Sequence, residues 1–112
     1  MRLSQGANVR AAQLGERYLA EQMTGLVEAY QLAAHEIDRI QRLPWRELEP
    51  CVDAPWRFGD SELARLSDAS GRLTIVETFE GSPTTKQIIV ALEWRHRRQG
   101  RRTVRLVTLV NE

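Results

Sequence analysis

The stretch NVRAAQLGERYLAEQMTGLVEAYQLAAHEIDRIQRL, Asn8 to Leu43, decides the fold. Apolar side chains recur in it at Ala12, Leu19, Met23, Leu26, Tyr30, Ala33, Ile37 and Ile40. That spacing of three and four predicts one stripe along a helix. The other faces carry Arg10, Glu16, Arg17, Glu21, Glu28, Glu36, Asp38, Arg39 and Arg42, so the reading is a core-facing helix with a wet back. Asn8 is placed to cap its start by accepting from an early backbone amide. Pro44 stops it, because proline cannot donate to the ladder and disfavours helical geometry in the residue before it.

About 35 residues at about 1.5 Å each would span roughly 50 Å, whereas a domain of this size has a radius of gyration of about 13 Å. The helix is therefore expected to overhang whatever packs on it. Leu19, Met23 and Leu26 are the candidate surface for contact with another subunit; the alternative is that they bury under the domain's own loops. Gly15 and Gly25 interrupt the run at a cost of roughly 1 kcal/mol each relative to alanine, which leaves a kink at either position as an alternative to one straight rod.

Beyond the helix, Pro44 to Phe58 reads as a linker that holds Pro44, Pro50 and Pro55 together with Trp45 and Trp56. The two indoles are expected to pin this crossing onto the helix. Asp60 to Leu66 predicts a short helix, with Asp60 or Ser61 as cap and Leu63 and Leu66 on one face. Ser67 to Gly71 reads as a turn, which closes a variable loop region over residues 44–71. From Arg72 the period changes to two. Three strands are expected, Leu73 to Glu80, Gln87 to Arg95 and Thr103 to Val110, broken at Gly81-Ser82-Pro83 and Gln99-Gly100. Such short connections predict an antiparallel meander over 72–110. In the second strand Ile88, Val90, Leu92 and Trp94 share the side that faces the helix. In the third, Val104, Leu106 and Val110 compete with Val107 and Leu109, so both sides are apolar. The expected class is α+β: one long N-terminal helix on a C-terminal meander of about three strands, in a single domain 1–112.

Composition agrees with one modest core. The 112 residues are 42% hydrophobic and 28% charged, and no run reaches the roughly 18 consecutive apolar residues of a membrane span. No signal-peptide core lies between Arg2 and Arg10, so the chain as given reads as soluble. The single cysteine, Cys51, has no partner for an intrachain disulfide.

The order of phrases resembles a known family. "AHEIDRIQRLPWRELEP", a variable loop, and then "RLTIVETFEGSPTTKQIIVALEWRHRRQGRRTVRLVTLVNE" look like the soluble part of type IV pilins and type II secretion pseudopilins, in particular minor subunits similar to the pilus protein V and pseudopilin I groups. The helix of those families commonly finishes in a leucine-proline-aromatic phrase with a later leucine, matched by Leu43, Pro44, Trp45 and Leu48. Their sheet commonly finishes in an apolar strand ending in tryptophan, a glycine-bearing polar turn, and a strand ending in threonine-leucine and a branched residue. Trp94, Gly100, Arg101 and Thr108-Leu109-Val110 stand in those places.

The resemblance implies a filament subunit that takes part in assembly or in a tip complex, with other pilin or pseudopilin subunits as partners along the long helix. It also implies a periplasmic head anchored in the inner membrane by an upstream apolar half-helix. Met1 is then expected to mark a truncation, and contact with a membrane to run only through that absent segment.

Charge offers a second theme. Arg95, Arg97, Arg98, Arg101, Arg102 and Arg105 carry +6 with no acid among them, which leaves 10 basic and 15 acidic residues, or −5, for the rest of a +1 chain. Around Gln99-Gly100 and His96 they would present a positive field to an acidic protein neighbour or to a phosphate backbone such as DNA. The plain alternative is a solvated tip whose charges keep a sheet edge from aggregating. A function of a different class follows from the first of these: a free-standing basic adaptor that binds nucleic acid through the hairpin 95–105. No catalytic constellation emerges, since His35 and His96 lie on different elements and no phosphate loop or nucleophile motif is present. His35 reads as a polar-face residue near the helix end, and Glu77, Glu80 and Glu93 as solvated strand positions. The expectation is a non-enzyme without cofactor or metal.

Overall fold

A computed structural model describes residues 25–78 and 84–112. One α-helix, α1, covers 25–41. It is followed by a 3₁₀ turn at Trp45–Glu47, strand β1 at Cys51–Ala54, a second 3₁₀ turn at Asp60–Arg65, and strands β2 at Ser70–Thr78, β3 at Thr85–His96 and β4 at Gly100–Asn111. The four strands form one antiparallel sheet in the order β1-β2-β3-β4. The class is α+β.

Alternation along β3 sets the core. Lys86, Ile88, Val90, Leu92 and Trp94 are buried while the residues between them are not. Register carries that face across the sheet, with Leu73 opposite Val90, Ile75 opposite Ile88, and Val104 opposite Leu92. Ala29, Leu32, Ala33 and Ile40 of α1 join these residues in one cluster, closed by Leu48, Trp56 and Leu63 from the connecting segment. Each large side chain fully buried here contributes about 1.5–3 kcal/mol, so helix and sheet hold each other.

The expected architecture of one helix over 8–43 on three strands is corrected on both counts. The described helix is 25–41, about 25 Å at about 1.5 Å per residue, and positions 8–24 lie outside the described residues. At its end the Leu43 amide donates to the Ile40 carbonyl at 3.0 Å, a tightened last turn. Pro44 then sits at ψ 147° and cannot continue the spiral. The sheet has four strands because Cys51–Ala54, read as linker, pairs with β2 at Ile75 and Leu73. Two prolines around four residues disguise an edge strand. Its pairing is irregular, and Asp53 lies at φ 50°. The three expected strands also start earlier or run longer than their apolar alternation, as β2 does from Ser70.

The stripe itself is rotated. Tyr30, expected inward, is 54% exposed, whereas Glu36, expected on the wet back, is 0% exposed. Its carboxylate explains the inversion: it accepts from the amides of Arg57 at 2.8 Å, Phe58 at 3.2 Å and Gly59 at 2.7 Å. Three charge-assisted bonds offset the cost of burying the ion. Trp56 ties the crossing to the sheet as well as to the core cluster it shares with α1, since its indole N–H donates to the carbonyls of Arg72 at 3.2 Å and Ala91 at 3.1 Å. The ring lies where a Cβ on Gly71 would stand 2.6 Å from three of its atoms, so only glycine fits at that strand position. Trp45 has a different task. Its carbonyl accepts from the buried Lys86 ammonium at 2.9 Å, which also sits 4.3 Å from its ring centroid.

Candidate basic cleft at the end of the sheet

The β3–β4 connection spans 97–99 and is closed by Gly100 at φ 73°, where no atom lies within 4 Å of an added Cβ, so the glycine answers to backbone conformation alone. His96 organises the turn. Its Nδ1 accepts from the amides of Arg98 at 3.1 Å and Gln99 at 3.2 Å, which leaves the ring proton on Nε2. The Arg95 amide donates to the Ser67 carbonyl at 2.9 Å, tying the second 3₁₀ turn's exit to the end of β3.

These ties enclose an open cleft of about 550 Å³ between the start of the described α1, the second 3₁₀ turn and the end of β3. Leu66 and Trp94 give it an apolar floor, and Gly25 forms part of one wall. Glu28, Arg65, Arg95, His96, Arg97 and Arg98 also line it, Arg95 at the position where its amide meets Ser67, since its side chain follows Trp94 onto the opposite face of β3. Arg65 and Glu28 approach to 3.6 Å. The Trp94 indole nitrogen is buried and has no hydrogen-bond partner among the described residues, and a Cβ on Gly25 would lie 3.2 Å from it.

The six arginines of 95–105 do not share one surface. Arg101 reaches Asp68 at 3.1 Å and Glu93 at 3.3 Å. Arg102 is half-buried and sits opposite Trp94, on the core-facing side of the ladder. Arg105 lies three residues further along β4, opposite Ala91, on the outward side. Only Arg95, Arg97 and Arg98 line the cleft. Sequence reading missed Arg65, Glu28 and Trp94 as members, and no local signal marks them: they come from three elements and meet only through the fold.

The helix candidates are placed as follows. Leu19 and Met23 lie outside the described residues, and Leu26 is half-buried against the core. The apolar side chains that α1 leaves to solvent are Val27, 47% exposed, and Tyr30. Across the sheet, Val76 on β2 and Val107 and Leu109 on β4 are also exposed, and register sets Val107 beside Ile89 on the outward face.

The carboxylates of Glu28, Glu36, Asp38, Glu62, Asp68 and Glu93 are engaged in structure. Glu36 holds the 57–59 amides, Glu62 lies 3.7 Å from Arg39, and Asp38 3.2 Å from Arg42. Among the described residues no group of three or more His, Cys, Asp or Glu is arranged to hold a metal ion, and no helix is long and apolar enough to cross a membrane. No protein-family model, curated protein or solved structure matches the chain.

Proposed function

We propose that this chain is the head of a minor subunit of the type IV pilin and secretion-pseudopilin kind, a structural and assembly protein and not an enzyme. The observation that carries the reading is α1 laid over one face of a sequentially ordered antiparallel sheet, with Val27 and Tyr30 left on its outer side. A helix that buries one stripe in its own domain and keeps apolar groups on the other is suited to pack against neighbouring helices. The carboxylates already paired or capping loops fit a scaffold role better than acid-base chemistry. In this reading the head is periplasmic and its membrane contact lies in an upstream segment.

The alternative of a nucleic-acid adaptor needs the arginines of 95–105 to track phosphates on one surface, and they are divided among a cleft, an ion-pair network and two faces of β4. The test is cysteine crosslinking in cells that express the native gene. Val27→Cys and Tyr30→Cys, in a Cys51→Ser background, are expected to trap adducts with pilin-type subunits identified by mass spectrometry. The native reading frame is expected to place about 20 apolar residues behind a cleavable leader upstream. Adducts with none of those subunits, from a gene lacking such a segment, overturn the proposal.

A further inference from the structure

Strand β4 ends the sheet, and the side of its ladder away from β3 has no partner strand among the described residues. Which of its backbone groups are free follows from one bond. The Glu112 amide donates to the Thr84 carbonyl at 3.1 Å, in the same register that sets Asn111 opposite Thr85 and Val104 opposite Leu92. Positions that exchange hydrogen bonds with a given neighbour alternate along an antiparallel strand, so the even positions of β4 bond to β3. The N–H and C=O groups of Thr103, Arg105, Val107, Leu109 and Asn111 therefore point away from the sheet. Their side chains stand on the face opposite α1, where Val107 is 50% and Leu109 65% exposed. An open edge of this length with apolar side chains at its middle is a template for another strand.

We infer that the strand which completes it is β4 of a second copy of this chain, running antiparallel about a two-fold axis through Val107. The residues around Val107 match themselves in that direction. With Val107 opposite its own copy, Arg102 faces Glu112 of the other copy, Thr103 faces Asn111 and Val104 faces Val110. These are opposite charges, two polar groups and two branched apolar groups, at equal distances on either side of the axis. Residues that face each other share one side of the sheet, so Arg102 and Glu112 meet on the side of α1. Among the described residues neither makes an ion pair within its own chain. Arg105 lies across from Leu109, its aliphatic stem along that side chain and its guanidinium in water. Every outward-pointing backbone group from Thr103 to Asn111 then gains a partner, and no like charges face each other. The adjacent registers lose this match: an axis at Thr108 sets Glu112 against Val104, and one at Leu106 sets Arg102 against Val110. A pattern that reads alike from both ends is what a two-fold interface requires and what a foreign strand does not. The pairing also brings the outer apolar positions Ile89, Val107 and Leu109 of the two copies together across the axis.

The inference stands on β4 and is independent of the filament reading, which rests on the outer side of α1. Its test is sedimentation equilibrium of the full chain at about 5–500 µM, where a monomer–dimer equilibrium with a dissociation constant of about 1–100 µM is expected for so small an interface. Val107→Pro removes an N–H that only the second strand uses and leaves the ladder to β3 whole, so it is expected to weaken the dimer at least about tenfold. Leu109→Lys sets a cation across from Arg105 and is expected to weaken it by a similar factor of about ten. Arg102→Glu weakens it at least about fivefold, and Arg102→Glu combined with Glu112→Arg returns it to within about twofold of the parent. Val76→Lys, exposed on the same outer face but on β2, changes it less than about twofold. Far-ultraviolet circular dichroism checks that each variant is folded. A monomer at every concentration, a dimer that survives both Val107→Pro and Leu109→Lys, a dimer that Val76→Lys disrupts, or a charge swap that fails to restore association would each overturn the inference.

Discussion

Glu36 is the buried charge on which the connecting segment depends, and removing half of its acceptor capacity makes a sharp test. In Glu36→Gln the shape is kept but one oxygen becomes an amide nitrogen. Oε2 serves the amides of Arg57 and Phe58, and Oε1 serves Gly59 at 2.7 Å. If the remaining oxygen takes the Oε2 place, the glutamine NH₂ points at the Gly59 amide, donor against donor. That leaves a buried N–H unsatisfied at about 1–3 kcal/mol, and the other two bonds fall from charge-assisted to neutral strength at about 0.5 kcal/mol each. The sum is about 3 kcal/mol. The opposite rotamer is worse, since it strands two amides.

For a domain of this size the loss corresponds to a fall in melting temperature of more than about 10 °C. Urea titration followed by tryptophan fluorescence reads it directly, because Trp56 stands on the same loop as the three amides. The matched control is Asp38→Asn, two residues along α1 and rotated away from the core, whose 3.2 Å pair with Arg42 is exposed and worth under about 1 kcal/mol. A Glu36→Gln midpoint within about 0.5 kcal/mol of the parent would refute the reasoning, since it would mean the carboxylate is not what holds 57–59.

Gly71→Ala drives a methyl into the Trp56 indole, 2.6 Å from three ring atoms, and is expected to cost about 1–3 kcal/mol by overpacking; an unchanged denaturation midpoint would refute it. Ile37, half-buried against the core, is expected to lose about 2 kcal/mol or more as Ile37→Asp, because an unpaired charge enters the helix-sheet interface. A melting temperature equal to the parent's would mean that side of α1 faces water. Charge reversal at Arg97 and Arg98 leaves the fold intact to within about 1 kcal/mol, as exposed turn positions should; an unfolded circular dichroism spectrum would contradict that.

What the sequence revealed and what it hid follow from one distinction. Strand β3 was legible because its buried residues alternate cleanly from Ile88 to Trp94, and period two has no other reading over that length. The helix seam was only partly legible because its centre is an acid. The buried positions Ala29, Leu32, Ala33, Glu36 and Ile40 form a regular line, but a carboxylate there makes the line look broken. An apolar reading then slides sideways to Tyr30 and Ile37. The partner amides that make Glu36 comfortable lie 21 to 23 positions away, beyond any window of local pattern. Strand β1 was hidden for the opposite reason: Pro50 and Pro55 speak locally against a strand, and only the exposed edge of β2 makes one possible. The cleft was half visible, since the arginine run announces charge but not which of its members face inward.

Strand β4 divides its exposed surface by chemistry. It is the last strand in the order and so presents a free ladder edge among the described residues. An exposed edge of twelve residues invites pairing with other chains unless charge or cover prevents it. Arg101, Arg102 and Arg105 protect the half nearest the turn, the half that borders the basic cleft. The other half, Leu106 to Val110, has no charge and leaves Val107 and Leu109 outward. An uncharged apolar run on an open edge is the part of the sheet where pairing with another strand costs least. Charge guards one end of the strand and apolar side chains occupy the other, while the core is held by Glu36, Trp56 and the inward face of β3, so substitutions along the outward side of β4 are expected to leave the core packing in place.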